Sequence, residues 1–149
     1  MSICKIITAP DVRLSTVCTE VIPNTPHIRR LAVNLVDTMY DAKGLGLAAP
    51  QLGETIRMFC MRYGDRALVM CNPRIVEWGK ALVRGDEGCL SLPGQTVEVR
   101  RHKVITVLWR DPDGIVQKAK MRGMDARCVQ HEIDHMNGKL ISDRRPRHG

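Results

Sequence analysis

Residues 103–138 read KVITVLWRDPDGIVQKAKMRGMDARCVQHEIDHMNG, and this stretch decides the fold class. Residues 103–109 are rich in β-branched side chains, which pack well on a pleated surface. Asp111-Pro112-Asp113-Gly114 is a turn, so residues 115–120 are expected to return as the partner strand. A helix should then run from near Gly123 or Met124 to Asn137-Gly138, a left-handed stop. Upstream, residues 25–43 carry the other clear helix. Thr25 suits the N-cap, Pro26 suits the first turn, and Ile28, Leu31, Leu35 and Met39 recur at helical spacing before Gly44 stops the run. Between the two helices, apolar runs at 56–62 and 66–71 flank Gly64-Asp65 as a hairpin, with weaker strand candidates at 74–77 and 80–84. Strands grouped between helices predict an α+β fold: short antiparallel sheets packed around a C-terminal helix, with one N-terminal helix.

The 149 residues suit one domain, taken as residues 1–143, followed by a short basic tail at 144–149. At 44% apolar and 26% charged, the composition is that of an ordinary globular chain and excludes general disorder. No apolar run approaches the roughly 18 residues that a membrane span needs. The N-terminus has no secretory pattern, so a cytoplasmic location is expected. The six cysteines include no C-x-x-C pair, and most are expected to be buried thiols. The net charge of +7 could attract a polyanion, but the cations are scattered and few aromatics interleave with them. No specific DNA binding and no membrane partner is expected, and a monomer is. Arg144, Arg145 and Arg147 suit a frayed, solvated tail.

His131-Glu132-Ile133-Asp134-His135 lies on the second helix. Residues four apart share a helical face, so two imidazoles can bind one divalent metal while Glu132 reaches its water; structural histidines would fit the same spacing. A catalytic site of this type needs a third protein ligand and an open position. Downstream the chain offers only Asp143 and His148, since Ile141 stands where an extended zinc-protease pattern has histidine and no Glu follows Glu132. The third ligand should therefore come from upstream. Cys89, in Glu87-Gly88-Cys89-Leu90-Ser91, is the best candidate, because a tight loop or strand edge can present a thiolate. A redox-active or idle loop cysteine is the alternative. Gly44-Leu45-Gly46-Leu47-Ala48-Ala49-Pro50-Gln51 allows backbone to approach a ligand closely, or is simply a helix end followed by a packed turn.

Together, residues 44–51, 87–91 and 130–138 resemble the G-x-G-L-A-A-x-Q, E-G-C-L-S and Q-H-E-x-D-H-x-x-G motifs of the peptide deformylase family, in the same order. The resemblance runs from about residue 3 to residue 143, with a C-terminus shorter than in many relatives. It implies a metal-dependent hydrolase that removes the N-formyl group from formylmethionyl nascent peptides, at or near the ribosome. Cys89, His131 and His135 would hold one divalent metal, ferrous iron first, with Zn2+, Ni2+ or Co2+ able to replace it. Glu132 would be the general base and acid. Gln51 and the Leu90 N–H would stabilise the oxyanion, and Gly46 would align the formyl amide. The pocket for the methionine side chain would involve Gly44, Leu45, Met124, Arg127 and Cys128. Arg127 departs from a largely apolar face, either snorkelling outward or narrowing or polarising the pocket. Thr96 stands where some relatives carry Arg. From spacing and charge, Glu87, Arg101 and Asp134 are expected to orient the ligands. A metallopeptidase is disfavoured by the missing downstream ligand. A deformylase-like scaffold that only binds peptide or ribosome is the alternative from another class.

Overall fold

The computed structural model describes residues 3–144. Helix α1 spans Pro26–Asp41 and helix α2 spans Gly123–Met136. Seven strands lie between or beside them: β1 Gly46–Ala48, β2 Met58–Tyr63, β3 Arg66–Trp78, β4 Leu82–Cys89, β5 Leu92–His102, β6 Val104–Arg110 and β7 Val116–Arg122. Five form an antiparallel sheet in the order β1-β2-β3-β6-β7, and β4 pairs with β5 as a separate hairpin. The α+β architecture expected from the sequence is the one observed.

The large sheet is apolar on both faces because its central strands alternate between two cores. Met58 and Cys60 of β2 pack with Leu31, Leu35 and Met39 of α1. Phe59 and Met61 face the other way, with Ile105 and Val107 of β6 and Ala126, Val129 and Met136 of α2. A third core joins Val97 and Val99 of β5 to Leu14, Leu140 and Ile141. Helix α2 therefore lies against the large sheet while also meeting the β4–β5 hairpin. Gln130 clamps that second contact: its side chain accepts from the His102 N–H at 2.9 Å and donates to the His102 carbonyl at 2.8 Å. Cys18, Cys60 and Cys71 are buried, as expected of small apolar residues, while Cys4, Cys89 and Cys128 are half-buried.

Four local expectations need correction. The helix expected over 25–43 ends at Asp41, and the left-handed residue is Lys43 (φ 56°), not Gly44. Gly44 is small for another reason: a Cβ there would lie 2.8 Å from Leu90 Cδ1. The separate candidates at 66–71 and 74–77 are one strand, β3, which passes Asn72-Pro73 through a register shift between Cys71 and Arg74. Strand β5 was not expected at all. Its inward positions are Val97, Val99 and Arg101, so a buried arginine interrupts the apolar alternation that marks a strand. Arg144 is not solvated tail: it closes a short 3-10 turn, Ile141–Arg144, and grips Asp134 at 2.7 and 3.0 Å. Arg145 and Arg147 lie outside the described residues.

Gly138 ends α2 in the left-handed region (φ 72°), as its sequence position implied. A Cβ there would sit 2.7 Å from the Ser15 carbonyl oxygen. Gly138→Ala combines backbone strain with a collision against backbone, so we expect a loss of about 2 kcal/mol or more in urea unfolding. An unchanged midpoint would show that the α2 end is not clamped in this way.

Candidate metal centre

Three nucleophilic side chains converge where the β4–β5 hairpin meets α2. Cys89 is the last residue of β4, and His131 and His135 stand one turn apart on α2. One ligand atom from each lies within 4.8 Å of the others, and Cys89 Sγ is 3.4 Å from His135 Nε2. The helix supplies the imidazoles because i and i+4 share a face. The strand supplies the thiol because it ends there: Gly88 and Cys89 mark a register shift before the turn into β5.

The surroundings fix these donors. His131 Nδ1 is 2.9 Å from Glu87 Oε1, which makes Nδ1 the donor and turns Nε2 toward the site. Glu87 also accepts from Arg101 Nε at 3.0 Å, Arg101 Nη2 at 2.8 Å and Arg127 Nη1 at 2.6 Å. Arg101 Nη1 reaches on to Asp134 at 2.6 Å. Despite burial, the hydrogen bonds from His131 and Arg101 hold the Glu87 carboxyl far below the usual range. Burial opposes charge on His131, yet the partners Cys89 and Glu87 outweigh it and push its pKa up to about 10. His135 behaves oppositely: burial and the neighbouring charges of His131 and Arg101 depress it to about 3. Of the two imidazoles a turn apart, His131 is thus the one that favours the charged form.

Glu132 is buried on the same helix face, and burial pushes its pKa up to about 7 against the pull of His131 and Arg101. Its Oε1, together with His135 Nδ1, is a buried polar atom with no hydrogen-bond partner among the described residues. A thiol and two imidazoles in mutual reach, beside an unpartnered carboxylate oxygen, fit a divalent cation and its water. Strand β1 approaches closely: a Cβ on Gly46 would collide with Glu132 Oε2 and lie 2.9 Å from Cys128 Sγ. Gln51 is fully buried; its amide oxygen accepts from the Ala48 N–H at 2.9 Å, and its Nε2 donates to Ser91 Oγ at 3.1 Å and faces Cys89 Sγ at 3.8 Å.

A cleft of about 560 Å3 opens onto this cluster. Gly44, Leu45, Gly46, Gln51, Leu90, Met124, Arg127 and Cys128 all line it, together with Glu87, Cys89, His131 and Glu132. Arg101, Asp134 and His135 lie behind that wall, with Arg101 and Asp134 in a second depression on the far side. Arg127 does not snorkel outward. It is buried, and its guanidinium bonds Glu87, the Val99 carbonyl at 2.9 Å and the Val83 carbonyl at 2.7 Å. Sequence reasoning gave no role to Ser91 or Gln130, although both stand inside the quoted motifs. Ser91 is fully buried and donates to the Ile7 carbonyl at 2.6 Å, fastening the N-terminal segment under Gln51.

The profile of the family described as "Polypeptide deformylase" matches residues 3–148. The peptide deformylase of Wolbachia pipientis wMel is 43% identical, over 94% of this chain and 86% of its own length. That of Rhodopseudomonas palustris TIE-1 is 40% identical over 96% and 86%. The crystal structure of peptide deformylase from Thermotoga maritima superimposes with a TM-score of 0.94 at 34% identity, covering 97% of this chain and 99% of that one. The Ehrlichia chaffeensis peptide deformylase in complex with actinonin gives 0.94 at 36% identity, covering 99% and 91%. No helix among the described residues is long and apolar enough to cross a membrane.

If Cys89 is a ligand, Cys89→Ala should remain folded but lose bound divalent metal during purification, read by elemental analysis. Full metal retention would remove Cys89 from the ligand set.

Proposed function

The chain belongs to the polypeptide deformylase family, and on that premise we propose that it removes the N-formyl group from formylmethionyl nascent peptides, releasing formate. It does so in the cytoplasm, as a monomeric domain of residues 1–143. The observation that carries this reading is the pairing of the Cys89–His131–His135 cluster with the unpartnered Oε1 of Glu132 at the head of the cleft.

Cys89, His131 and His135 would hold one divalent metal, Fe2+ first, with Zn2+, Ni2+ or Co2+ as substitutes. When bound, the metal supplies Lewis acidity that polarises the formyl oxygen and acidifies water. Glu132 takes a proton from the attacking water and returns it to the leaving amine. A carboxyl whose pKa is lifted to about 7 suits both halves of that exchange near neutral pH. The Gln51 amide has its oxygen anchored on the Ala48 N–H, so its amino group is held toward Cys89 and the reacting carbonyl. With the Leu90 N–H, it donates to the oxygen that gains charge, a type of contact worth roughly 100- to 1,000-fold in rate. Gly46 brings β1 backbone against Glu132, where it aligns the formyl amide. Glu87, Arg101 and Asp134 hold the imidazoles from behind. Gly44, Leu45, Met124, Arg127 and Cys128 border the methionine side chain. A metal-loaded site has no use for a buried, unpartnered Glu132 unless protons move, which favours catalysis over a scaffold that only binds peptide or ribosome.

Formate release from a formyl-methionyl tripeptide tests the reading, using protein prepared anaerobically with ferrous iron. Glu132→Ala should retain metal and peptide binding and lose about 100- to 10,000-fold in kcat. Equal turnover by Glu132→Ala, or none by the metal-loaded parent, overturns it. The pocket assignment predicts a higher kcat/KM for formyl-methionyl than for formyl-alanyl peptides, because a flexible thioether fills apolar space that a methyl leaves open. Equal values would dismiss that pocket.

A further inference from the structure

Glu87 is gripped by more cations than its task of holding one imidazole requires. A carboxylate has about four lone-pair sites. On Oε1 they meet Arg101 Nη2 and His131 Nδ1; on Oε2 they meet Arg101 Nε and Arg127 Nη1. Arg101 binds side-on from β5 and is drawn toward Asp134 at its other end. Arg127 comes from α2, one turn before His131, and also donates from Nη1 to the Val99 carbonyl and from Nη2 to the Val83 carbonyl, one on each strand of the hairpin. Both hydrogens of Nη1 are thereby used, one on Glu87 and one on Val99.

The space for this guanidinium is made by the facing strand. A Cβ on Gly85 would lie 3.0 Å from Arg127 Cζ, 3.1 Å from Nη2 and 3.2 Å from Nε. Gly85 has no positive φ, so its lack of a side chain answers a packing demand and not a backbone one. Glycine at 85 and arginine at 127 are two halves of one arrangement.

We infer that Arg127 is a positioning residue for the metal centre: anchored on the hairpin carbonyls in the gap left by Gly85, it locks the Glu87 carboxylate that orients His131. The inference rests on the reading of His131 as a metal ligand. It assigns Arg127 no contact with the reacting atoms: three of its five N–H donors go to Glu87 and the hairpin carbonyls. Loss of Arg127 would free Oε2 on one side and take one donor from the Val99 and Val83 carbonyls, while Arg101 still keeps Glu87 in place. The effect is therefore a looser imidazole, not an absent one.

The test uses the full chain with Co2+ as the probe metal. Its readouts are Co2+ affinity by chelator competition, the visible cobalt spectrum, and kcat and KM on a formyl-methionyl tripeptide, with thermal unfolding as the folding control. Arg127→Met keeps the stem and removes the donors. It should fold, bind Co2+ about 10- to 100-fold more weakly, as is typical when a residue that orients a ligand is lost, shift the cobalt bands, and lower kcat more than it raises KM. A folded Arg127→Met with parental cobalt affinity and spectrum overturns the inference. If Arg127→Met does not fold, Gly85→Ala decides, since it displaces the guanidinium and removes no donor. It should weaken Co2+ binding and shift the bands, and parental values in Gly85→Ala overturn the inference. A parent that binds Co2+ yet releases no formate, with the Arg127→Met difference intact, rejects the deformylase reading and leaves this one standing. An active parent matched by an equally active, spectrally identical Arg127→Met rejects this one alone.

Discussion

Four donors on the Glu87 carboxylate join the β4–β5 hairpin to α2, and the rest of the site follows from that junction. Glu87 and Arg101 come from the two strands of the hairpin, while Arg127 and His131 come from the helix. Taking so many charges out of water is costly, and such a cluster seldom adds net stability over an apolar packing of equal volume. Removing one member is another matter: it strands a buried charge, at roughly 3–5 kcal/mol. The cluster therefore acts less as glue than as a register pin. Only one placement of the hairpin on α2 satisfies Glu87, Arg101, Asp134 and Arg127 together, and that placement brings Cys89 beside His135.

The same junction divides the labour between the imidazoles. His131 has a carboxylate behind it, and His135 has no partner on Nδ1 among the described residues. One ring is oriented by a carboxylate on Nδ1; the other meets the Cys89 thiol, through Nε2, in a fully buried position. Glu132 stands between them in sequence, shielded from water and near neutral pKa, poised to accept or give a proton. Across the cleft, Gln51 is fixed by Ala48 and Ser91.

Periodicity exposed α1, the Asn137-Gly138 stop marked the end of α2, and β-branched density exposed β6, because those signals are local. The candidate donor cluster was legible as well: the two histidines from helical spacing, and Cys89 by elimination of downstream donors together with family resemblance. What sequence hid was set by tertiary demand. Strand β5 escaped notice because an inward Arg101 looks like a surface residue until its two carboxylate partners are known. Arg127 suggested a choice between snorkelling outward and narrowing or polarising the pocket; it lines the cleft without snorkelling, three of its donors turned to a hairpin that local sequence does not reveal. Gly44 looked like a helix stop and is a clearance for Leu90. Arg144 looked like tail because its partner, Asp134, is ten residues away on a different element. In each case the missing information was a partner distant in sequence.

Cys89 and His131 are 42 positions apart in the chain, so any ion they share closes a large ring. Ring closure of that size is entropically costly in an open chain, and the cost grows only slowly with length. Here the ring is already shut by ordinary side chains, since Glu87 sits two residues before the thiol and meets both Arg127 and His131. The protein has met that entropic cost on folding, before any ion arrives. Selectivity among divalent ions then falls to what a preset thiol and two imidazoles prefer and to what the cell makes abundant, because no rearrangement is left to discriminate between them.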